Sequence, residues 1–204
     1  SDPAFCAGLD LRELGDSGGN IDPDSQSEPK GPFPDRSKPL IGAVNGVAVT
    51  GGLELALACD FLIASNRSSF ADTHARVGVM PGWGLSVLLP QAIGVRRARE
   101  MSLTGNYIDA DTAEKWGLVN RVVPHEALLE TVYALASDIR SNDQVGVRQM
   151  LETYSRTAET TVAEGWEIEA SMGSEWLKDT EFKPEKVAER RADIQSRGRT
   201  QQNP

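Results

Sequence analysis

The stretch Val49-Thr50-Gly51-Gly52-Leu53-Glu54-Leu55-Ala56-Leu57-Ala58-Cys59-Asp60 follows directly on Pro39-Leu40-Ile41-Gly42-Ala43-Val44-Asn45-Gly46. The earlier run is apolar and ends in Asn-Gly, so it reads as a short buried strand and a turn. Past the two later glycines come good helix formers. The order is therefore strand, glycine-rich turn, helix N-terminus. The leading N–H groups of a helix have no acceptor inside it, and its dipole is positive at that end. Here both fall at Gly51 and Gly52. Glycine lets another group approach that backbone closely, and Glu54 stands in the first turn beside it. Backbone donors next to a carboxylate make an anion-stabilising corner with a proton-transfer group at hand. The alternative is a plain strand-to-helix turn whose glutamate complements the dipole, because short glycine motifs also match by chance.

Upstream, Ala4-Phe5-Cys6-Ala7-Gly8-Leu9-Asp10-Leu11 reads as a strand end turning into a short helix, Asp10 to Leu14. Positions 15–37 are rich in Gly, Pro, Ser and Asp, which predicts a long surface loop. The chain starts at Ser1 in what reads as the end of a strand, so further residues are expected upstream. Downstream, Phe61-Leu62-Ile63-Ala64-Ser65 reads as another buried strand and 69–82 as strand and loop. Helices are predicted over 85–93 and 95–103, then from an Asp109 N-cap to Trp116 with Gly117 ending it. Leu118 to Val123 reads as a strand, and Pro124 starts a long helix with Leu128, Val132, Leu135 and Ile139 on one face. Helices over about 143–158, 160–178 and 184–195 follow, with frayed last residues. The first half thus alternates strands and helices, the second is nearly all helical, and a boundary falls near 140, giving 1–140 and 141–204.

The 204 residues suit one domain with an appendage, and 39% hydrophobic against 25% charged residues allows a real core. A net charge of −9 argues against non-specific binding to nucleic acid or anionic membrane. No apolar run approaches the ~18 residues of a membrane span, and no signal-peptide pattern is seen. Cys6 and Cys59 imply no disulfide framework and fit a reducing compartment. The expected location is cytoplasmic.

Taken together, several segments resemble the crotonase (enoyl-CoA hydratase/isomerase) family. Phe5-Cys6-Ala7-Gly8-Leu9-Asp10-Leu11 is similar to its first oxyanion-hole segment. Lys38 to Gly46, followed by Gly51-Gly52-Leu53-Glu54-Leu55-Ala56 and Cys59-Asp60, is similar to the second. Gly78-Val79-Met80-Pro81-Gly82, Leu103-Thr104-Gly105 and Ala113-Glu114-Lys115-Trp116-Gly117-Leu118-Val119 then fall in the family's order. The resemblance implies an α/β fold, a crotonase-like spiral of ββα units with C-terminal oligomerisation helices. It implies N-terminal strands upstream of Ser1 and a homotrimer or a hexamer.

The resemblance also implies an acyl-CoA thioester substrate, with coenzyme A as part of it, and no separate cofactor or metal. The oxyanion donors would be the N–H groups of Ala7 and Gly51, and Ala7, Gly8, Leu9 and Asp10 would line the adenine loop. Glu54 lies where the family's hydratases keep one catalytic glutamate. The second glutamate's place is taken by His74, a departure from the pattern. Histidine can hold or activate water near neutral pH, so Glu54 and His74 are the expected acid–base pair; the alternative is a structural histidine. Asp72 orients His74 if the backbone is extended there; otherwise it is a surface aspartate. Trp83 either narrows the acyl pocket or belongs to the core. Cys6 has no activating neighbour in sequence, and His125 reads as a capping-region residue. Arg96, Arg97 and Arg99, or Arg190, Arg191 and Arg197, are either contacts for CoA phosphates or simply solvated. The resulting expectation is an enoyl-CoA hydratase. The rivals are an enoyl-CoA isomerase, a non-catalytic acyl-CoA binding protein and an interaction scaffold built on the C-terminal helices.

Overall fold

A computed structural model describes residues 2–18, 31–158, 160–178 and 182–202. Much of the loop expected over 15–37 lies outside the described residues, namely positions 19–30. The chain forms two compact units, 1–142 and 143–204. The first is built on two small sheets. β1 (Ala4–Cys6), β3 (Val47–Val49), β5 (Ser69–Ala71) and β6 (Ile108–Asp109) form one, in that order; β2 (Ile41–Val44), β4 (Phe61–Ser65) and β7 (Arg121–Val123) form the other. All pairings are parallel except β5 with β6. Successive turns of chain therefore add one strand to each sheet, β2 then β3 and β4 then β5, with helices between.

Those helices are α1 (Leu11–Ser17), α2 (Gly51–Leu57), α3 (His74–Val77), α4 (Leu85–Ile93), α5 (Val95–Thr104), α6 (Ala110–Trp116) and α7 (Leu128–Ser141). Each boundary has a local cause. The Asp10 carboxylate accepts from the Arg12 N–H and caps α1, and Asp109 accepts from Thr112 to cap α6. Gly105 and Gly117 end α5 and α6 in the left-handed conformation. The core lies between the sheets and helices, with Val44, Ala48, Leu53, Phe70, Leu89 and Met101 fully or almost fully buried.

Three local expectations are corrected. Val47–Val49 is a strand of its own, because Asn45-Gly46 turns the chain from one sheet into the other. Residues 74–77 form a single helical turn and not loop, since the N–H groups of Gly78 and Val79 both bond the His74 carbonyl. Pro124 opens a short 3-10 turn at His125–Ala127 before α7 begins, and the described strand before it is only Arg121–Val123.

The second unit holds α8 (Gln144–Ala158), α9 (Val162–Lys178) and α10 (Pro184–Gln202). α8 packs on α9, with Met172 buried and accepting a hydrogen bond from the Thr153 hydroxyl. α10 is helical through Gln202, past the end expected near 195, where the last residues were read as frayed. Among the described residues no helix is long and apolar enough to cross a membrane.

Candidate active site

β1, β3 and β5 lie side by side and run the same way, with Cys6 opposite Ala48 and Val49 opposite Ala71. Their carboxyl ends therefore deliver Ala7, Thr50 and Asp72 to one edge of the sheet. In parallel sheets that edge is where ligands bind.

The corner at Thr50 is held from four directions. Its N–H donates to the Ala71 carbonyl at 3.0 Å, and its carbonyl accepts from Leu53 and Glu54 at 3.0 and 3.1 Å. Its hydroxyl pairs with that of Thr73. These bonds hold Thr50 at φ 56°, ψ −116°, a conformation that a β-branched residue rarely adopts. Gly51 and Gly52 then supply the leading amides of α2.

The Ala7–Gly8 segment packs directly on this corner. A Cβ placed on Gly8 would lie 3.2 Å from the Val49 carbonyl and 3.8 Å from the Gly51 nitrogen. Gly8 also has φ 80°, which glycine adopts freely. A Cβ on Gly52 would lie only 2.1 Å from the Cys6 carbonyl oxygen. The two expected halves of the hole are thus brought together, and contact this close is possible only because both positions lack a side chain.

Behind the corner sits a buried charged triad. Glu54 is 3% exposed, Asp72 2% and His74 6%. His74 Nδ1 lies 2.6 Å from Asp72 Oδ1, and His74 Nε2 lies 3.5 Å from Glu54 Oε2. The other Glu54 oxygen accepts the Trp83 backbone N–H at 2.7 Å. Among the described residues no buried side-chain polar atom lacks a partner. Burial alone would lower the His74 pKa. The hydrogen bonds and charges of Asp72 and Glu54 outweigh it and raise the value from 6.5 to about 9. For Asp72, burial acts upward, but the bonds from His74 and from the Ser102 hydroxyl bring its pKa below the usual carboxylate value. At neutral pH, His74 is therefore an imidazolium between two acidic side chains.

Asp72 is buried and bonded to His74, which corrects its reading as a surface residue. The geometry is not that of an extended strand. Asp72 lies just past β5 and His74 opens α3, so one carboxylate oxygen reaches both the ring and the His74 backbone N–H. An Asp-X-His spacing at a strand end was the sequence signal. Trp83 is 43% exposed, so it is not a core residue. Its ring carbon comes within 3.7 Å of where a Gly51 Cβ would stand, so the indole roofs the corner. Leu9 is 51% exposed, and the Asp10 carboxylate is engaged in capping α1. His125 lies away from the corner, with its Nδ1 on the Ser65 hydroxyl at 3.0 Å. Arg97 stacks on Trp116, and Arg190 pairs with Asp143.

A cleft of about 620 Å³ has Thr73, the residue between Asp72 and His74 in sequence, in its lining. Leu11 and Leu14 of α1 line it together with Thr73, Arg76, Val77 and Tyr107. Its volume is ordinary for a small-molecule site. Thr73 connects it to the corner, being bonded to Thr50 and adjacent in sequence to His74. Sequence reading gave no sign of this cleft, because its walls come from segments far apart in the chain.

Known proteins resemble this chain along most of its length. The family model described as enoyl-CoA hydratase/isomerase matches residues 1–193. A probable peroxisomal enoyl-CoA hydratase 1 of Arabidopsis thaliana is 44% identical over 141 residues, covering 69% of this chain and 53% of the relative. A short-chain-enoyl-CoA hydratase of Clostridioides difficile is 43% identical over 135 residues, covering 66% of this chain and 86% of the relative. The crystal structure of an enoyl-CoA hydratase from Mycobacterium avium superposes with a TM-score of 0.69 at 47% identity, over 89% of this chain and 76% of that one. A monofunctional enoyl CoA isomerase from M. smegmatis is similar over 63% of this chain and 61% of its own, at 42% identity and a TM-score of 0.59. The chain spans 53% of the Arabidopsis relative's length and 63% of that of a carnitinyl-CoA dehydratase from Citrobacter koseri, to which it is 36% identical over 79% of its own length. With its spiral of parallel strands, its paired segments and these matches, the chain belongs to the enoyl-CoA hydratase/isomerase family.

Proposed function

We propose that this chain carries a site for adding water to a 2-enoyl-CoA. The observation that supports it best is the placing of Glu54 and His74, 3.5 Å apart, beside the leading amides of α2. In this reading the thioester oxygen accepts from the N–H groups of Ala7 and Gly51. Each such donor contributes roughly 3 kcal/mol as charge develops on that oxygen. Glu54 takes a proton from water while the water oxygen bonds the β carbon, and the double-bond electrons move to form the enolate. His74 Nε2 gives its proton to the α carbon. The proton on Glu54 then passes to the neutral imidazole, which restores the starting state. Asp72 does not touch substrate; it positions His74 and keeps the ring charged.

Coenzyme A enters as part of the substrate, and the chemistry calls for no further cofactor and no metal. We read the helices of 143–204 as the surface for assembly into a homotrimer or hexamer. Met150, Tyr154, Trp166 and Leu177 are more than half exposed there, which supports that reading. The compartment is read as cytoplasmic, with Cys6 and Cys59 both free thiols.

The test is loss of enoyl absorbance on incubation with crotonyl-CoA, abolished by Glu54→Gln. Conversion of a 3-enoyl-CoA without hydration of crotonyl-CoA would instead identify an isomerase. Thioester binding with no turnover of either would leave a non-catalytic binding protein.

A further inference from the structure

Arg76 is a cation in the wall of an otherwise mostly apolar cleft. Its Nε donates to the Thr104 carbonyl at 3.2 Å and its Nη2 to the Asn106 side-chain oxygen at 2.9 Å. Both acceptors are neutral, so they fix the plane of the guanidinium without cancelling its charge. Among the described residues it meets no carboxylate. Its stem lies across Gly105, where a Cβ would come within 2.5 Å of Nε. The cation is thus preorganised and exposed, and among the described residues its remaining donors are uncommitted. Tyr107, 52% exposed, lines the same wall. Arginine recognises carboxylate through a planar pair of donors. Leu11, Leu14 and Val77 leave the rest of the cleft suited to methylene groups.

We propose that this cleft takes an acyl chain ending in a carboxylate, and that Arg76 is the specificity-determining residue that binds that terminus. The inference rests on the acyl-CoA reading above, with the thioester at the Thr50–Gly51 corner and the chain running past Thr73 toward Arg76. The same guanidinium could bind an anion from another source, the phosphates of coenzyme A. The apolar walls favour the carboxylate, since a diphosphate would be placed among leucine and valine side chains.

The experiment uses mono-CoA thioesters of 2-alkenedioic acids of increasing length, each against its ω-methyl ester, with crotonyl-CoA as the neutral reference. The expected result is a kcat/KM for the acid at least about tenfold above its ester at the best length. Arg76→Gln is expected to bring that ratio close to one, and Arg76→Lys to restore part of it. Because the readout is a ratio, a general loss of activity does not mimic it. Turnover of the esters and crotonyl-CoA with a wild-type ratio near one at every length overturns the inference and leaves the hydratase reading standing. An equal loss for acid and ester in Arg76→Gln assigns the guanidinium to the CoA phosphates and also overturns it. No turnover of any thioester overturns the hydratase reading and this inference with it.

Discussion

Asp72 Oδ1 accepts two hydrogen bonds from one residue, from His74 Nδ1 at 2.6 Å and from the His74 backbone N–H at 3.1 Å. The aspartate therefore fixes the start of α3 and the ring orientation together. The ring is left with its Nε2 facing Glu54, which is the proton arrangement the proposed hydration needs.

Asp72→Asn keeps the shape and removes the charge. The basic limb of kcat/KM against pH, expected near the His74 pKa of about 9, should move down toward the ordinary histidine value. A full return to about 6.5 would cost about thirtyfold in activity at pH 8. Steady-state rates with crotonyl-CoA from pH 6 to 10 measure it. A limb that stays in place removes Asp72 from any positioning role.

Stability should follow the same group. His74 has a folded pKa of about 9, above its reference value of 6.5. Its contribution is therefore complete below about pH 6.5 and lost as pH rises through 9. One pKa unit is about 1.4 kcal/mol, so the loss is at most about 3.5 kcal/mol. Urea midpoints taken at pH 6.5 and pH 9.5 should differ in that direction. His74→Gln should flatten the difference.

Glu54→Gln leaves the Trp83 N–H an acceptor, so the corner should keep its shape. The proton acceptor is lost, and kcat is expected to fall by about 10²–10⁴. Thermal melting should show a folded protein, so that the loss can be assigned to chemistry.

Gly52→Ala tests the contact between the two halves of the corner. The added methyl meets the Cys6 carbonyl at 2.1 Å, which is backbone and cannot step aside. Overpacking of this kind costs about 1–3 kcal/mol. We expect a lower melting temperature and, if folded protein remains, a raised KM for thioester.

The order strand, glycine turn, helix was legible at Ile41–Leu57 because each step has a local signature: an apolar run, Asn-Gly, Gly-Gly, then helix formers. The caps at Asp109 and Gly117 were legible for the same reason. Glu54 was legible from its place in the first turn after the glycines, His74 only through family resemblance, and the structure puts their side chains 3.5 Å apart. Asp72 was left between orienting His74 and lying at the surface, because a buried aspartate looks in sequence like a solvated one; only its partner makes burial tolerable. β3 was missed because three residues are too few for a period to register. Trp83 was singled out with both a pocket and a core reading open, and Arg76 carried no readable signal, since their settings are made by segments more than twenty residues away.

Threonine at position 50 sits in a backbone state that glycine would occupy at ease. Thr50→Gly should therefore relax the chain there while cutting its tether to Thr73. The wild-type residue trades some robustness for a fixed aim of the neighbouring amide, so a hardier variant at this position would be the poorer catalyst.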